Sequence, residues 1–271
     1  MLSCLLVASI TRAAELIAEP CRAANVLSTR LVRAGGKEWF VLANMNEVSH
    51  CELIFIDPAT NEGRIFRAPA GAGAWALKQV RDDRLIVGTY YDGMFMVFDL
   101  KEMKFTKTIK FPGEEYIWNF ALGGDGRLYG GTYPGGKVGA IDLDTYEVED
   151  FGKPAAPNLY CRDVSELPDG RIFCHFGMTK NTHLIFDPKA KKFSPVSTEM
   201  DTFDRGIIWN NLFLPVSSLD TATAEPVAFQ GPDLKPIKPP FPTPPKDRRI
   251  ASVRLPLPET WGISTWHSRS K

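Results

Sequence analysis

The sequence has no excess charge of either sign: 32 Lys and Arg stand against 32 Asp and Glu. No long run of one sign occurs, so the electrostatic footprint of a protein that binds nucleic acid or an anionic membrane is missing. No stretch approaches the roughly 20 consecutive apolar residues that a membrane-spanning helix needs. The five cysteines, at positions 4, 21, 51, 161 and 174, have neither CxxC nor CxxH spacing. That argues against a zinc site and a disulfide framework, and it predicts buried thiols. Catalytic templates are lacking too: there is no GxSxG, no P-loop, no HExxH and no GxGxxG in a strand-turn-helix context. No cofactor and no metal are expected.

What is present is a repeat. Four apolar strands end on Asp and then turn, at Asp57, Asp99, Asp142 and Asp187, with spacings of 42, 43 and 45. A second marker, an acidic turn followed by Arg and an apolar strand, recurs at Arg84, Arg127 and Arg171, with spacings of 43 and 44. Two independent markers on one period define the repeat. Within the third unit, residues 116–122, 127–132, 137–142 and 146–150 read as strands, separated by Gly- and Asp-rich turns. Four short antiparallel strands per unit make the blade of a β-propeller, an all-β fold in which radial packing protects strand edges. The blades are expected at about 22–69, 70–112, 113–154, 155–198 and 199–241, within a propeller region of 15–245. The pattern breaks after the Pro-rich segment 238–245, leaving an irregular tail or incomplete blade at 246–271. About five blades are expected, either closing as a ring of five or, the favoured reading, forming a fragment of a six- to eight-bladed ring such as one of seven. The Asp residues after the third strands are read as turn formers.

At the N-terminus, a short apolar run over 2–10 followed by Thr11-Arg12-Ala13-Ala14 reads as a truncated secretory signal, residues 1–14, and points to a secreted or periplasmic protein. The alternative is a first strand or short helix packed on the domain.

In a propeller the first strand of each blade lines the central channel. The residues nine before each marker Arg are Trp75, Trp118 and Arg162, and a further step of 43 reaches Arg205. These four are expected at one height around the opening. Two aromatics beside two guanidiniums suit a sugar or planar ligand that carries an acidic group. Asn119, Tyr90 and Tyr116 are expected to add contacts; alternatively the tryptophans pack between blades and the arginines pair with neighbouring Asp. In the loops between second and third strands, Gly88-Thr89-Tyr90-Tyr91 matches Gly131-Thr132-Tyr133-Pro134, and in the fourth blade His175 replaces the glycine. His175 is therefore a candidate general base or acid, with Tyr133 or Tyr160 as proton partner and Arg162 on the substrate carboxylate; the alternative is a satisfied, half-buried histidine. His50 and His183 precede third strands.

The blade text from Asp125-Gly126-Arg127 to Pro134-Gly135-Gly136, closing with Ala140-Ile141-Asp142-Leu143-Asp144-Thr145, resembles bacterial propellers of the YVTN, streptogramin-lyase-like and SMP-30-like group. It is also similar in style to seven-bladed polysaccharide lyases that cleave ulvan, over roughly residues 37–241. That second resemblance implies proton abstraction beside a uronate carboxylate by His, Tyr and Arg. The WD40 signature is absent. Two functions are thus carried forward. One is a carbohydrate-binding propeller that takes an acidic oligo- or polysaccharide at the channel mouth and cleaves it by β-elimination. The other is a non-catalytic scaffold or sensor for a protein partner.

Overall fold

The computed structural model describes residues 25–45, 50–198, 200–203, 205–215 and 227–238. The expected signal segment and the tail 246–271 lie outside the described residues. Five four-stranded antiparallel sheets follow one another along the chain. Blade 1 holds β1 (Asn25–Ala34), β2 (Lys37–Met45), β3 (Glu52–Ile56) and β4 (Gly63–Arg67). Blade 2 holds β5 (Gly73–Val80), β6 (Arg84–Tyr90), β7 (Met94–Asp99) and β8 (Lys104–Lys110). Blade 3 holds β9 (Tyr116–Leu122), β10 (Leu128–Tyr133), β11 (Val138–Ile141) and β12 (Val148–Asp150). Blade 4 holds β13 (Tyr160–Glu166), β14 (Ile172–Gly177), β15 (Thr182–Asp187) and β16 (Lys192–Pro195). Blade 5 holds β17 (Gly206–Trp209), β18 (Leu212–Pro215), β19 (Ala228–Gln230) and β20 (Lys235–Ile237). Each repeat read from the sequence thus holds one sheet, as a β-propeller requires.

Both faces of a blade pack against neighbouring blades. The second and third strands therefore read as continuous apolar runs, and every residue of β14 is buried. The core lies between blades. Phe55 of blade 1 stacks on Phe98 of blade 2 at 5.2 Å, and Phe95 of blade 2 stacks on Phe120 of blade 3 at 5.6 Å. Outer strands are polar. The sequence of β8, Lys104-Phe-Thr-Lys-Thr-Ile-Lys110, puts lysines on an exposed edge and discourages edge-to-edge pairing.

The marker residues prove to be turn and joint chemistry. Asp142 Oδ1 accepts the N–H groups of Asp144 and Thr145, and Asp99 and Asp187 do the same for the residues two and three ahead. The marker arginines clamp blades. Arg84 donates to the Leu143 carbonyl at 2.6 Å, and Arg171 to that of Pro232. Arg127 pairs with Asp125 at 2.7 Å and with Glu149, which in turn holds Lys191 of blade 4. Burial opposes the Asp125 charge, but hydrogen bonds from Arg127 and Tyr129 outweigh it and hold the carboxyl below its ordinary value of 3.8. A depressed carboxylate stabilises the fold above its unfolded pKa, and that stability is lost as the pH falls through the folded value. Asp125→Asn is therefore expected to cost roughly 1–2 kcal/mol at neutral pH. Urea midpoints should converge with those of wild type well below pH 3.8.

The three described cysteines, Cys51, Cys161 and Cys174, are buried free thiols. Burial raises the Cys51 pKa to about 12, so that thiol stays protonated. Among the described residues no helix is long and apolar enough to cross a membrane.

Candidate ligand-binding site

The innermost strands β1, β5, β9, β13 and β17 pack in sequence order, and four of them carry a β-bulge near their start. The extra residue is Leu27 in β1, Trp75 in β5 and Arg162 in β13, while Trp118 and Asn119 together face Gly131 in blade 3. A bulge re-aims the side chain at the irregularity and sharpens the local twist. Trp75, Trp118 and Arg162 consequently meet. The two indoles lie 5.2 Å apart, and the Arg162 guanidinium sits over the Trp118 ring at 5.8 Å. Neither indole N–H has a hydrogen-bond partner among the described residues.

Above them runs a ladder of four tyrosines. Tyr90 ends β6, Tyr116 begins β9, Tyr133 ends β10 and Tyr160 begins β13. Their ring centroids are 4.6, 4.8 and 4.5 Å apart in that order, so the stack crosses two blade joints. The repeat explains its extent. The position at the start of the inner strand is Gly73, Tyr116 and Tyr160 in blades 2, 3 and 4, and its cross-strand partner is Tyr90, Tyr133 and Gly177. A glycine therefore closes the ladder at each end. At Gly73 an added Cβ would lie 3.0 Å from Met45 Cα, because blade 1 fills the space that another ring would need. Trp118 joins the two layers, with Tyr116 at 5.6 Å and Tyr160 at 5.3 Å. Burial raises the Tyr116 and Tyr160 pKa values, against which Arg162 pulls Tyr160 down. Both phenols are thus held as neutral hydrogen-bond donors.

Partly buried polar links fix the loops that carry the ladder. Asp92 accepts the Gly71 N–H at 2.6 Å, Glu114 accepts the Gly135 N–H at 2.8 Å, and Asn158 accepts those of Thr179 and Lys180. These acceptors tie the connection between blades to the loop between second and third strands in each of blades 2, 3 and 4. Tyr91 and Met178 occupy one repeat position in those loops, at φ 82° and 88°. Both are large side chains in the left-handed region and both are exposed. Strain of this kind collects at ligand clamps and active sites.

Asn119 is committed to structure: its amide donates to the Val164 carbonyl at 2.8 Å and accepts the Val164 N–H at 2.9 Å, fastening the blade 4 bulge. Arg205 lies outside the regular inner strand of its blade. A 3-10 turn at Met200–Thr202 precedes β17, which starts at Gly206, and Arg205 stands exposed just before it. His175 lies inside blade 4, only 6% exposed, stacked on His183 at 4.8 Å. His183 in turn stacks on Phe173 and bonds Asp201 at 2.9 Å. His50 precedes β3 in blade 1, and among the described residues no group of His, Cys, Asp and Glu could hold a metal. The sequence reading did not anticipate Tyr91 as part of the band, the unbroken stacking, or Arg30 and Thr29, which line the channel beside Trp75.

An all-β fold of four-stranded radial sheets with an aromatic channel mouth defines a β-propeller, and solved structures agree. A catalytically inactive virginiamycin B lyase from Staphylococcus aureus, solved with quinupristin, superposes with a TM-score of 0.59 at 13% identity, over 82% of this chain and 74% of that one. A streptogramin B lyase gives 0.52 at 10% identity, over 79% and 83%. The Malassezia sympodialis allergen Mala s 1 gives 0.53 at 13% identity, over 79% of each chain. The fold is thus shared with propellers of the streptogramin-lyase type, at identities that speak for fold alone. No family model and no curated protein matches the chain.

Proposed function

We propose that this propeller binds an acidic saccharide at the channel mouth, on the tyrosine ladder and the Trp75–Trp118–Arg162 layer beneath it. The observation that carries the reading is the ladder itself. Four partly exposed tyrosines and two tryptophans gather at one opening, on loops fastened by buried acceptors. Aromatic rings offer apolar faces and edges to a sugar ring, and neutral phenols donate to its hydroxyls. Arg162 supplies the charge for a carboxylate or sulfate, and the exposed Arg205 adds a second guanidinium at the rim. Binding is better supported than cleavage. Elimination needs a base beside the acidic C–H, and burial keeps Tyr160 protonated while His175 sits in the blade interior.

Calorimetric titration with uronate-containing oligosaccharides tests the proposal, with ultraviolet absorbance followed for an unsaturated product. Arg162→Ala is expected to weaken binding roughly 10- to 100-fold, the worth of a charge-assisted hydrogen bond. Unchanged affinity in that variant would remove Arg162 from the site, and rising absorbance would restore the lyase reading.

A specific feature favours the second reading as well. Tyr91, Leu159 and Met178, the last 70% exposed, ring the same mouth. An apolar rim of that kind suits a protein or peptide partner. Pull-down by a Met178→Lys variant that is as efficient as by wild type would count against it.

A further inference from the structure

Deeper in the channel, a cavity of about 200 Å³ opens between the inner strands of blades 1, 2 and 3. Thr29, Arg30, Trp75 and Asn119 are among its lining residues. Three of these carry donors that no described residue uses. The Thr29 hydroxyl and the Trp75 indole N–H are buried without a hydrogen-bond partner among the described residues. The partly buried Arg30 guanidinium makes no hydrogen bond or ion pair with any described residue; Glu166 acts on it only as a charge at a distance. Glu166 is itself engaged, accepting from Lys78 Nζ and from the Leu122 N–H at 2.7 Å. Asn119 is likewise spent on Val164. A desolvated guanidinium beside an orphaned hydroxyl and an orphaned indole N–H is costly for an empty protein and suits a complementary acceptor.

We propose that this cavity binds a carboxylate group through Arg30, Thr29 and Trp75. A carboxylate offers about four lone-pair positions to such donors, and its two oxygens match the guanidinium fork. The register supports the assignment. Counting from the bulges, Arg30 stands three residues after Leu27 and Lys78 three after Trp75, so adjacent inner strands present cations at one level of the channel. The carboxylate can belong to a uronate reaching down from the mouth or to a free small acid. Only the first case rests on the saccharide reading.

Thermal-shift and calorimetric titrations with sodium acetate and with glucuronate, against sodium chloride at equal ionic strength, test the inference. Both carboxylates are expected to stabilise the wild type beyond chloride. Arg30→Gln is expected to lose this affinity roughly 10- to 100-fold. Thr29→Val should melt higher than wild type without ligand, because the orphaned hydroxyl is gone, yet bind carboxylate several-fold more weakly. That opposed pair of effects keeps the test decisive if Arg30→Gln fails to fold. Acetate and glucuronate shifts no larger than chloride, or shifts unchanged in Thr29→Val, would overturn the inference. Acetate and glucuronate shifts that survive Arg30→Gln would do the same, and oligosaccharide binding retained in that variant would leave the mouth site standing. Carboxylate binding without oligosaccharide binding would uphold the cavity and refute the saccharide reading.

Discussion

Gly131→Ala is expected to destabilise the protein by about 3 kcal/mol, near the upper end for overpacking a close-packed interior. Gly131 lies on β10 opposite the bulge of β9, where the inner strand of blade 4 passes at backbone distance. A Cβ there would sit 2.9 Å from the Cys161 Sγ and closer still to the Cys161 carbonyl oxygen. A flexible side chain could yield, but a strand backbone cannot. The joint between blades 3 and 4 must open, and the Tyr133–Tyr160 stack spans that joint. Stability and ligand affinity should therefore fall together. Gly63→Ala is the matched control: it lies on an exposed outer strand, with its nearest contact at 3.9 Å, and is expected to be close to neutral. Urea denaturation of the three proteins compares them directly. A Gly131→Ala midpoint equal to that of Gly63→Ala would show that the joint is not closed as described.

Tyr116→Ala is expected to abolish ligand binding at the channel mouth. Tyr116 is the ring on which the band converges, touching Tyr90, Tyr91, Tyr133 and Trp118. Each aromatic contact is worth about 0.5–1.5 kcal/mol, so truncation costs both fold stability and the continuity of the stack. Tyr116→Phe separates the two. It keeps the ring contacts, so its melting point should stay near wild type. It removes the phenol, so affinity should fall by about tenfold, the worth of one hydrogen bond. Full affinity in Tyr116→Ala would place the ligand elsewhere.

How far the sequence revealed these features depends on the regularity of the repeat. Blades 2, 3 and 4 keep spacings of 43 and 44, and there the arithmetic was sufficient: Trp75, Trp118 and Arg162 share a bulge position and touch. The outer units break the period. From Leu27 to Trp75 the bulges are 48 residues apart, stretched within blade 1, so a step of 43 never aligns Arg30 with Lys78. In blade 5 a 3-10 turn precedes an inner strand of only four residues, and Arg205 falls just before that strand. The fate of His175 depended on packing. In blades 2 and 3 its equivalents, Gly88 and Gly131, are pressed by the next inner strand. The following inner strand of blade 5 has only four residues, and His175 fills interior space beside His183 instead of facing the mouth. The ladder was half legible, since the matching Gly-Thr-Tyr loops named Tyr90 and Tyr133. That the inner-strand starts Tyr116 and Tyr160 would alternate with them in one stack follows only from the radial geometry.

The central claim is that the tyrosine ladder is a binding surface for acidic sugar. Calorimetric titration of the wild type and Tyr116→Ala with one uronate oligosaccharide tests it most directly. Saturable binding by the wild type that disappears in a folded Tyr116→Ala is the predicted result. A cooperatively melting wild type that no acidic saccharide binds, or equal binding by both proteins, would contradict it.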